Sequence, residues 1–290
     1  MILVETARTW GRMVRLSHSE FALPYALSGA ALAAARTGGI GAARVAWIVV
    51  AMFAARNAAM GFNRLADHEL DALNPRTAGR ELPRGALSRR AVVVATALLS
   101  LLFVIAAFRL GPLCGWLSPL ALAIVFGYSY TKRFTWASHA ILGLALAIAP
   151  VGGWLAVAGD LSPVAWVLGA AVLQWVAGFD VIYASQDVEF DRRAGLFSVP
   201  ARFGVARALI LARALHAGAL AALAGVGLLA ELHPVYWVGW AAIAALLAWE
   251  HRLVRADDLS RLDVAFFNMN GVIAVLYFAT VLASVLLPRV

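Results

Sequence analysis

The chain is divided into apolar runs, each about as long as a bilayer is thick. A membrane span needs roughly 20 mainly apolar residues, within about 17–25. Nine runs meet or approach that length: 20–36, 44–63, 91–108, 110–130, 136–158, 163–184, 206–230, 235–250 and 265–287. The eighth is short, and the third and fourth are joined tightly at Arg109. Charged residues are only 14% of the 290, where a soluble domain carries about a quarter. Such a chain cannot cover its surface with polar groups. The fold class expected is an all-α membrane protein of nine transmembrane helices. It forms one domain over 1–290, with no linker or low-complexity tract. Alanine-rich, glycine-dotted runs predict close helix packing. Pro24, Pro119 and Pro150 fall inside spans and predict kinks.

The net charge of +8 could suggest nucleic acid, but the basic residues lie between the apolar runs. That placement reads as membrane topology and an anionic ligand. With the N-terminus in the cytoplasm, 18 of the 24 basic residues fall on the cytoplasmic side. Arg36, Arg44, Arg109 and Arg289 fall outside, while Arg56 and Arg213 lie within spans. The excess predicts a cytoplasmic N-terminus and a multi-pass protein of the prokaryotic inner membrane. The stretch Arg8 to Arg15 before an apolar run ending near Ala33-Ala34-Ala35 is read as leading into the first span, not as a cleaved leader. The long loops, 72–90, 192–205 and 251–264, are all cytoplasmic, so function is expected on that face. The single cysteine, Cys114, excludes an intrachain disulfide, and the six histidines lack zinc-ligand spacing.

Acidic residues are scarce, yet two clusters match. The second run leaves the membrane through Asn63, Asp67, Glu69 and Asp71; the sixth leaves through Asp180, Asp187, Glu189 and Asp191. Both contain D-x-E-x-D. Asn63, Asp67 and Asp71 are spaced to share one helix face, as are Asp180, Asp187 and Asp191. Both clusters end an even-numbered span, which suggests an internal duplication. Stacked carboxylates repel one another, and a hard divalent cation with oxygen ligands is the simplest compensation. Mg²⁺ takes few carboxylates and completes its shell with water and phosphate oxygens. Two such motifs face to face would hold Mg²⁺ around a diphosphate, with Asn63, Asp67, Asp71, Asp187 and Asp191 as metal ligands. Basic residues follow each motif: Arg76, Arg80 and Arg84 after the first, Arg192, Arg193 and Arg202 after the second. Lys132 is the only lysine in the chain, and it follows Tyr128 and Tyr130. A compact ammonium suits a phosphate oxygen. The diphosphate set is therefore Asn63, Lys132, Arg76, Arg193 and Tyr130, and the tyrosine rings could stabilise a cation.

These residues resemble the UbiA superfamily of intramembrane aromatic prenyltransferases. The N-x-x-x-D-x-x-x-D at 63–71, the D-x-x-x-D at 187–191 preceded by Tyr183-Ala184, and Tyr130-Thr131-Lys132-Arg133-Phe134 match it in order and spacing. The likeness implies a nine-helix ring around a central cavity, with the acidic motifs at its cytoplasmic end and an opening to lipid. It implies Mg²⁺-dependent transfer of a prenyl group from a polyprenyl diphosphate to an aromatic acid. Ubiquinone-type 4-hydroxybenzoate enzymes would carry K-P-x-G in the first span, and it is absent here. Phe21-Ala22-Leu23-Pro24 and Asn74-Pro75-Arg76-Thr77-Ala78-Gly79-Arg80-Glu81-Leu82-Pro83 resemble the related branch, part of which serves the futalosine route to menaquinone. The acceptor expected is 4-hydroxybenzoate or 1,4-dihydroxy-6-naphthoate; prenylation of a haem, chlorophyll or lipid acceptor is the alternative.

An acceptor carboxylate needs a cation at depth. Arg56 lies about two turns inward of Asn63, and a charge inside a span is a functional candidate. Arg15 is the second candidate. Asp180, about two turns deeper than Asp187, could steer the cation, accept the ring proton or pair with Arg56. A phosphatidyltransferase of CDP-alcohols is excluded by the lack of D-G-x-x-A-R. A secondary transporter is disfavoured because the acids crowd one membrane face, not the midplane.

Overall fold

A computed structural model describes residues 9–14, 22–262 and 269–288. Among them every regular element is helical, and the β pairing is one isolated bridge between Arg255 and Asp258. The helices are α1 (Ala22–Thr37), α2 (Ala42–Ala66), α3 (His68–Leu73), α4 (Arg89–Leu110), α5 (Pro112–Thr131), α6 (Ser138–Ala158), α7 (Pro163–Ala184), α8 (Val188–Arg193), α9 (Val199–Phe203), α10 (Val205–Leu229), α11 (Val235–Leu253) and α12 (Asn270–Leu286). Their starts are encoded locally. Ser88 and Ser162 accept the Ala91 and Ala165 N–H groups as N-caps of α4 and α7, and Pro163 opens α7 without a wasted donor. Gly111, at φ 151°, makes the abrupt turn that joins α4 to α5.

Six of these helices are long and apolar enough to cross a membrane: α2, α4, α5, α6, the α7–α8 stretch and α10. The chain is therefore a multi-pass membrane protein. Of the nine expected spans, the other three correspond to α1, α11 and α12. At 16 and 17 residues α1 and α12 are short, and α11 ends in Glu250, His251 and Arg252. Pro119 and Pro150 do lie inside α5 and α6, but Pro24 sits in the first turn of the described helix, where a missing N–H is tolerated.

The bundle is built around α7. Two-thirds of its apolar window is buried (67%), against 17% for α5. It packs between α6 and α10, while α1 lies on α6 and α12, and α2 on α4. An aromatic cluster ties three helices together: Tyr25 of α1 stacks on Tyr277 of α12 at 5.3 Å and tilts against Trp175 of α7 at 5.0 Å. The outward faces carry Leu98, Trp116, Leu120, Trp166, Ile210 and Val238, apolar residues exposed as lipid contact requires. Burying and rigidly packing α7 fixes the carboxylates at its end.

Helices α1 and α6 approach closely. A Cβ on Gly29 would overlap the Pro150 carbonyl, and one on Gly153 would overlap the Ala26 carbonyl. Backbone cannot yield as a side-chain tip can. Overpacking costs roughly 1–3 kcal/mol, so Gly29→Val is expected to lower the melting temperature in detergent by ~5 °C or more. Gly127→Ala, where nothing lies within 4 Å, should leave it unchanged. Equal melting curves for the two variants would disprove this contact.

Candidate active site

Both aspartate motifs begin with the same local backbone. Asp67 (φ −96°, ψ 6°) ends α2 and opens α3; Asp187 (φ −102°, ψ 6°) ends the 3₁₀ turn Ser185–Asp187 and opens α8. Each new helix is six residues long and carries the second aspartate, Asp71 or Asp191. The expected continuous face through Arg56, Asn63, Asp67 and Asp71 is thus bent at Asp67. The i to i−4 bonds persist across the bend, from Asp67 N–H to Asn63 O at 2.9 Å and from Asp71 N–H to Asp67 O at 2.7 Å. Asn63 and both aspartates therefore still meet one space.

That space is a cavity of about 190 Å³. Asn63, Asp67 and Asp71 line it from α2 and α3, Tyr128 and Lys132 from α5, and His139 from α6. Asp180 and Tyr183 of α7, then Asp187 and Asp191, line the opposite wall, and the loop after α3 adds Asn74, Arg76 and Arg80.

Each motif aspartate has a partner. Lys132 Nζ lies 2.6 Å from Asp67 Oδ2, and Arg133 Nη2 lies 3.2 Å from Oδ1. Asn63 Nδ2 donates to Asp67 at 3.1 Å. Arg80 Nη1 donates to both Asp71 oxygens at 2.7 and 2.8 Å. Arg76 crosses from the first motif to the second, gripping Asp187 through Nε at 3.0 Å and Nη2 at 2.5 Å. It also donates to the Tyr183 hydroxyl at 3.2 Å. Burial works against the Arg76 charge, but the bond to Asp187, with Tyr183 and Asp71 nearby, holds its pKa above the ordinary arginine value. Asp191 accepts from Ser198 Oγ at 2.7 Å.

The expected site residues sort by helical phase. Asn63, Asp67, Asp71, Asp180, Asp187, Asp191, Lys132 and Arg76 all line the cavity. Three others do not. Tyr130 is 45% exposed, set edge-on to Phe62 and beneath Arg133; Tyr128, half a turn earlier, takes the cavity face. Arg193 is exposed and pairs with Glu189 at 3.6 Å, so Arg80 is the second arginine on the wall. Arg56 is off this wall and donates from Nη1 to the Val14 carbonyl at 3.0 Å. Arg15 lies outside the described residues. Asp180 takes His139 as its partner, at 2.6 Å, and not Arg56. The sequence reading missed His139, Ser198 and the role of Arg80. For His139 the available signal was a titratable side chain at the start of an apolar run.

The donors are hard oxygens, which suits Mg²⁺. Among the described residues no three His, Cys, Asp or Glu side chains converge as a closed cage.

The sequence profile of the UbiA prenyltransferase family matches residues 22–272. The chain belongs to that family. It is a membrane prenyltransferase. A 4-hydroxybenzoate octaprenyltransferase of Aromatoleum aromaticum is 34% identical over 236 residues, covering 80% of this chain and 79% of that one. The apo structure of a UbiA homolog from Aeropyrum pernix K1 matches with a TM-score of 0.83 and 33% identity, covering 92% of this chain and 98% of that one. A UbiA homolog from Archaeoglobus fulgidus, bound to DMAPP and Mg²⁺, shares the fold at a TM-score of 0.74 and 21% identity, with 95% and 99% covered.

In this prenyltransferase, Arg80 and Asp71 are both largely buried. Removing one partner of a buried pair strands the other charge. Arg80→Ala should therefore lower the melting temperature more than Arg80→Ala combined with Asp71→Ala. Additive losses in this double-mutant cycle would mean the pair is not coupled.

Proposed function

We propose that the protein transfers a polyprenyl group from a polyprenyl diphosphate to an aromatic carboxylic acid. The acceptor is 4-hydroxybenzoate or 1,4-dihydroxy-6-naphthoate, the reaction depends on Mg²⁺, and its product enters respiratory quinone synthesis. The supporting architecture is nine spans, the six with α1, α11 and α12, ringed around the cavity. The N-terminus and both motifs face the cytoplasm, where most loop arginines lie.

One observation carries the reading. Carboxylates of both motifs line a single cavity, and Lys132, Arg76 and Arg80 already sit against them. A diphosphate with its metal can exchange these partners: carboxylates turn to the metal, cations to the phosphate oxygens. Asn63, Asp67, Asp71, Asp187 and Asp191 would hold Mg²⁺, which neutralises charge on the leaving diphosphate when bound. Lys132, Arg76 and Arg80 hold the same oxygens from the protein side. As the allylic C–O bond loosens, the Tyr128 ring faces the developing cation. The ring carbon beside the acceptor hydroxyl then attacks. A water-poor cavity would keep the cation from being quenched. The name of the Aromatoleum aromaticum relative supports the aromatic acceptor.

Purified protein should prenylate one of the two acids, lose turnover in EDTA and regain it with Mg²⁺. Asp67→Ala, Asp71→Ala, Asp187→Ala and Asp191→Ala should each cut turnover by ~10²-fold or more, the scale of losing a main charge-stabilising element. Full turnover in chelator, or near wild-type rates from two of the four variants, would remove the metal mechanism.

We assign the acceptor carboxylate to Arg56, which lies outside the cavity lining and would have to exchange its bond to the Val14 carbonyl for the acceptor; Arg15, next after Val14 in sequence, is the alternative. Arg56→Ala should raise the acceptor KM by ~10- to 150-fold, the worth of a charge-assisted hydrogen bond, and leave the diphosphate KM little changed. Arg56→Lys should recover only part, since an ammonium lacks the bidentate fork. A stable Arg56→Ala protein with an unchanged acceptor KM would move the assignment to Arg15.

A further inference from the structure

His139 stands in the first turn of α6 with both ring nitrogens engaged. The Val199 backbone N–H donates to Nε2 at 3.2 Å. A backbone amide can only donate, so Nε2 carries the lone pair and Nδ1 carries the proton. Nδ1 lies 2.6 Å from Asp180 Oδ2. The ring is therefore neutral, and Asp180 is a carboxylate accepting its N–H. His139 is 5% exposed, so water does not compete for either bond.

This sets Asp180 apart from the three cavity acids that face cations. Asp67, Asp71 and Asp187 face lysine or arginine. Among the described residues Asp180 forms no ion pair with either, and its Oδ1 accepts no hydrogen bond. Asp180 also lies seven residues before Asp187, roughly 10 Å deeper along α7. That is below the level proposed for diphosphate, where the ring must sit.

We propose that His139 is a positioning residue that holds Asp180 as the base for the ring proton. The inference rests on the aromatic-acceptor reading above. In the step, a ring π pair forms the bond to the prenyl carbon, and the allylic C–O pair leaves with diphosphate. The ring C–H proton passes to Asp180 Oδ1, and the C–H pair restores aromaticity. His139 keeps its own proton throughout. Its second bond ties this base to the second motif, because Val199 follows Ser198, which holds Asp191.

Amide variants separate this role from simple support of α9. In His139→Asn the carboxamide nitrogen takes the place of Nδ1 and can still donate to Asp180, while the bond to Val199 is lost. In His139→Gln the amide oxygen takes the place of Nε2 and can accept from Val199, while Asp180 is left without its donor. Full-length wild type, both variants and Asp180→Asn would be assayed with 4-hydroxybenzoate and 1,4-dihydroxy-6-naphthoate. Each acid would be tested with hydrogen and with deuterium on the ring carbons beside a hydroxyl. General-base catalysis contributes ~10²–10⁴-fold. Asp180→Asn should therefore lose ~10²-fold in kcat or more, and His139→Gln at least ~10-fold. Both should show an unchanged diphosphate KM and a raised deuterium effect, and His139→Asn should keep several-fold more turnover than His139→Gln. The reverse order, Gln active and Asn impaired with a flat isotope effect, would make His139 structural and overturn the proposal. So would near wild-type turnover by Asp180→Asn, which tests the base even if both His139 variants fail to fold. No transfer by wild type to either acid would overturn the acceptor reading and this proposal with it; a working wild type with flat isotope effects overturns this proposal alone.

Discussion

Carboxylates crowded at the mouth of an apolar bundle repel each other, and every other feature of the site answers that repulsion. Five aspartates, 67, 71, 180, 187 and 191, share one small cavity. The structure balances them with partners from different elements: Lys132 from the end of α5, Arg76 and Arg80 from the loop after α3, His139 from α6 and Ser198 from the cap of α9. The partners differ in kind. Three of those at the rim, Lys132, Arg76 and Arg80, are cations with an alternative use, since they can move to a phosphate, while Ser198 is a neutral hydroxyl. The one at depth is a neutral ring that stays where it is. A single electrostatic problem thus yields a rim suited to a leaving group and an interior suited to a base.

Spacing made the rim legible in the sequence. The twin D-x-E-x-D segments and the lone lysine were conspicuous because charge is rare in this chain, and the helical register put them at one face. The errors came from phase and from reach. Tyr128 lies four residues before Lys132 and so shares its side of α5, while Tyr130 lies on another side. Arg193 follows its motif as Arg76 follows the first, yet α8 turns it outward to Glu189. No spacing rule could show that Arg76 crosses to Asp187, 111 residues on, or that His139 meets Asp180, 41 residues on. Contacts of that kind depend on how α6 and α7 pack, which rests on glycines such as Gly143 against the Leu173 carbonyl. The span reading was also uneven: six runs satisfy length and apolarity outright, and the ends of α11 are too polar to do so.

Asp67 and Asp187 repeat one local backbone. Both aspartates leave helical geometry by the same rotation and start a helix of the same length. Their partners have diverged: Asp67 faces Lys132 and Arg133, Asp187 faces Arg76 and Asn74. What is shared is the means of turning a carboxylate inward. What differs is the charge that meets it.

The reach of Arg76 restricts where this chain can change in length. Arg76 lies five positions after Asp71 and Arg80 nine, along a loop whose turns are closed by bonds such as Thr77 N–H to Asn74 O. One residue added between Asp71 and Arg76 would displace both guanidinium groups together and release acids on both sides of the cavity. The connection between α11 and α12, whose described residues supply none of these cations, carries no such restriction. Insertions and deletions among descendants of this sequence should accordingly collect in the latter and spare the former, a pattern set by the span of two side chains.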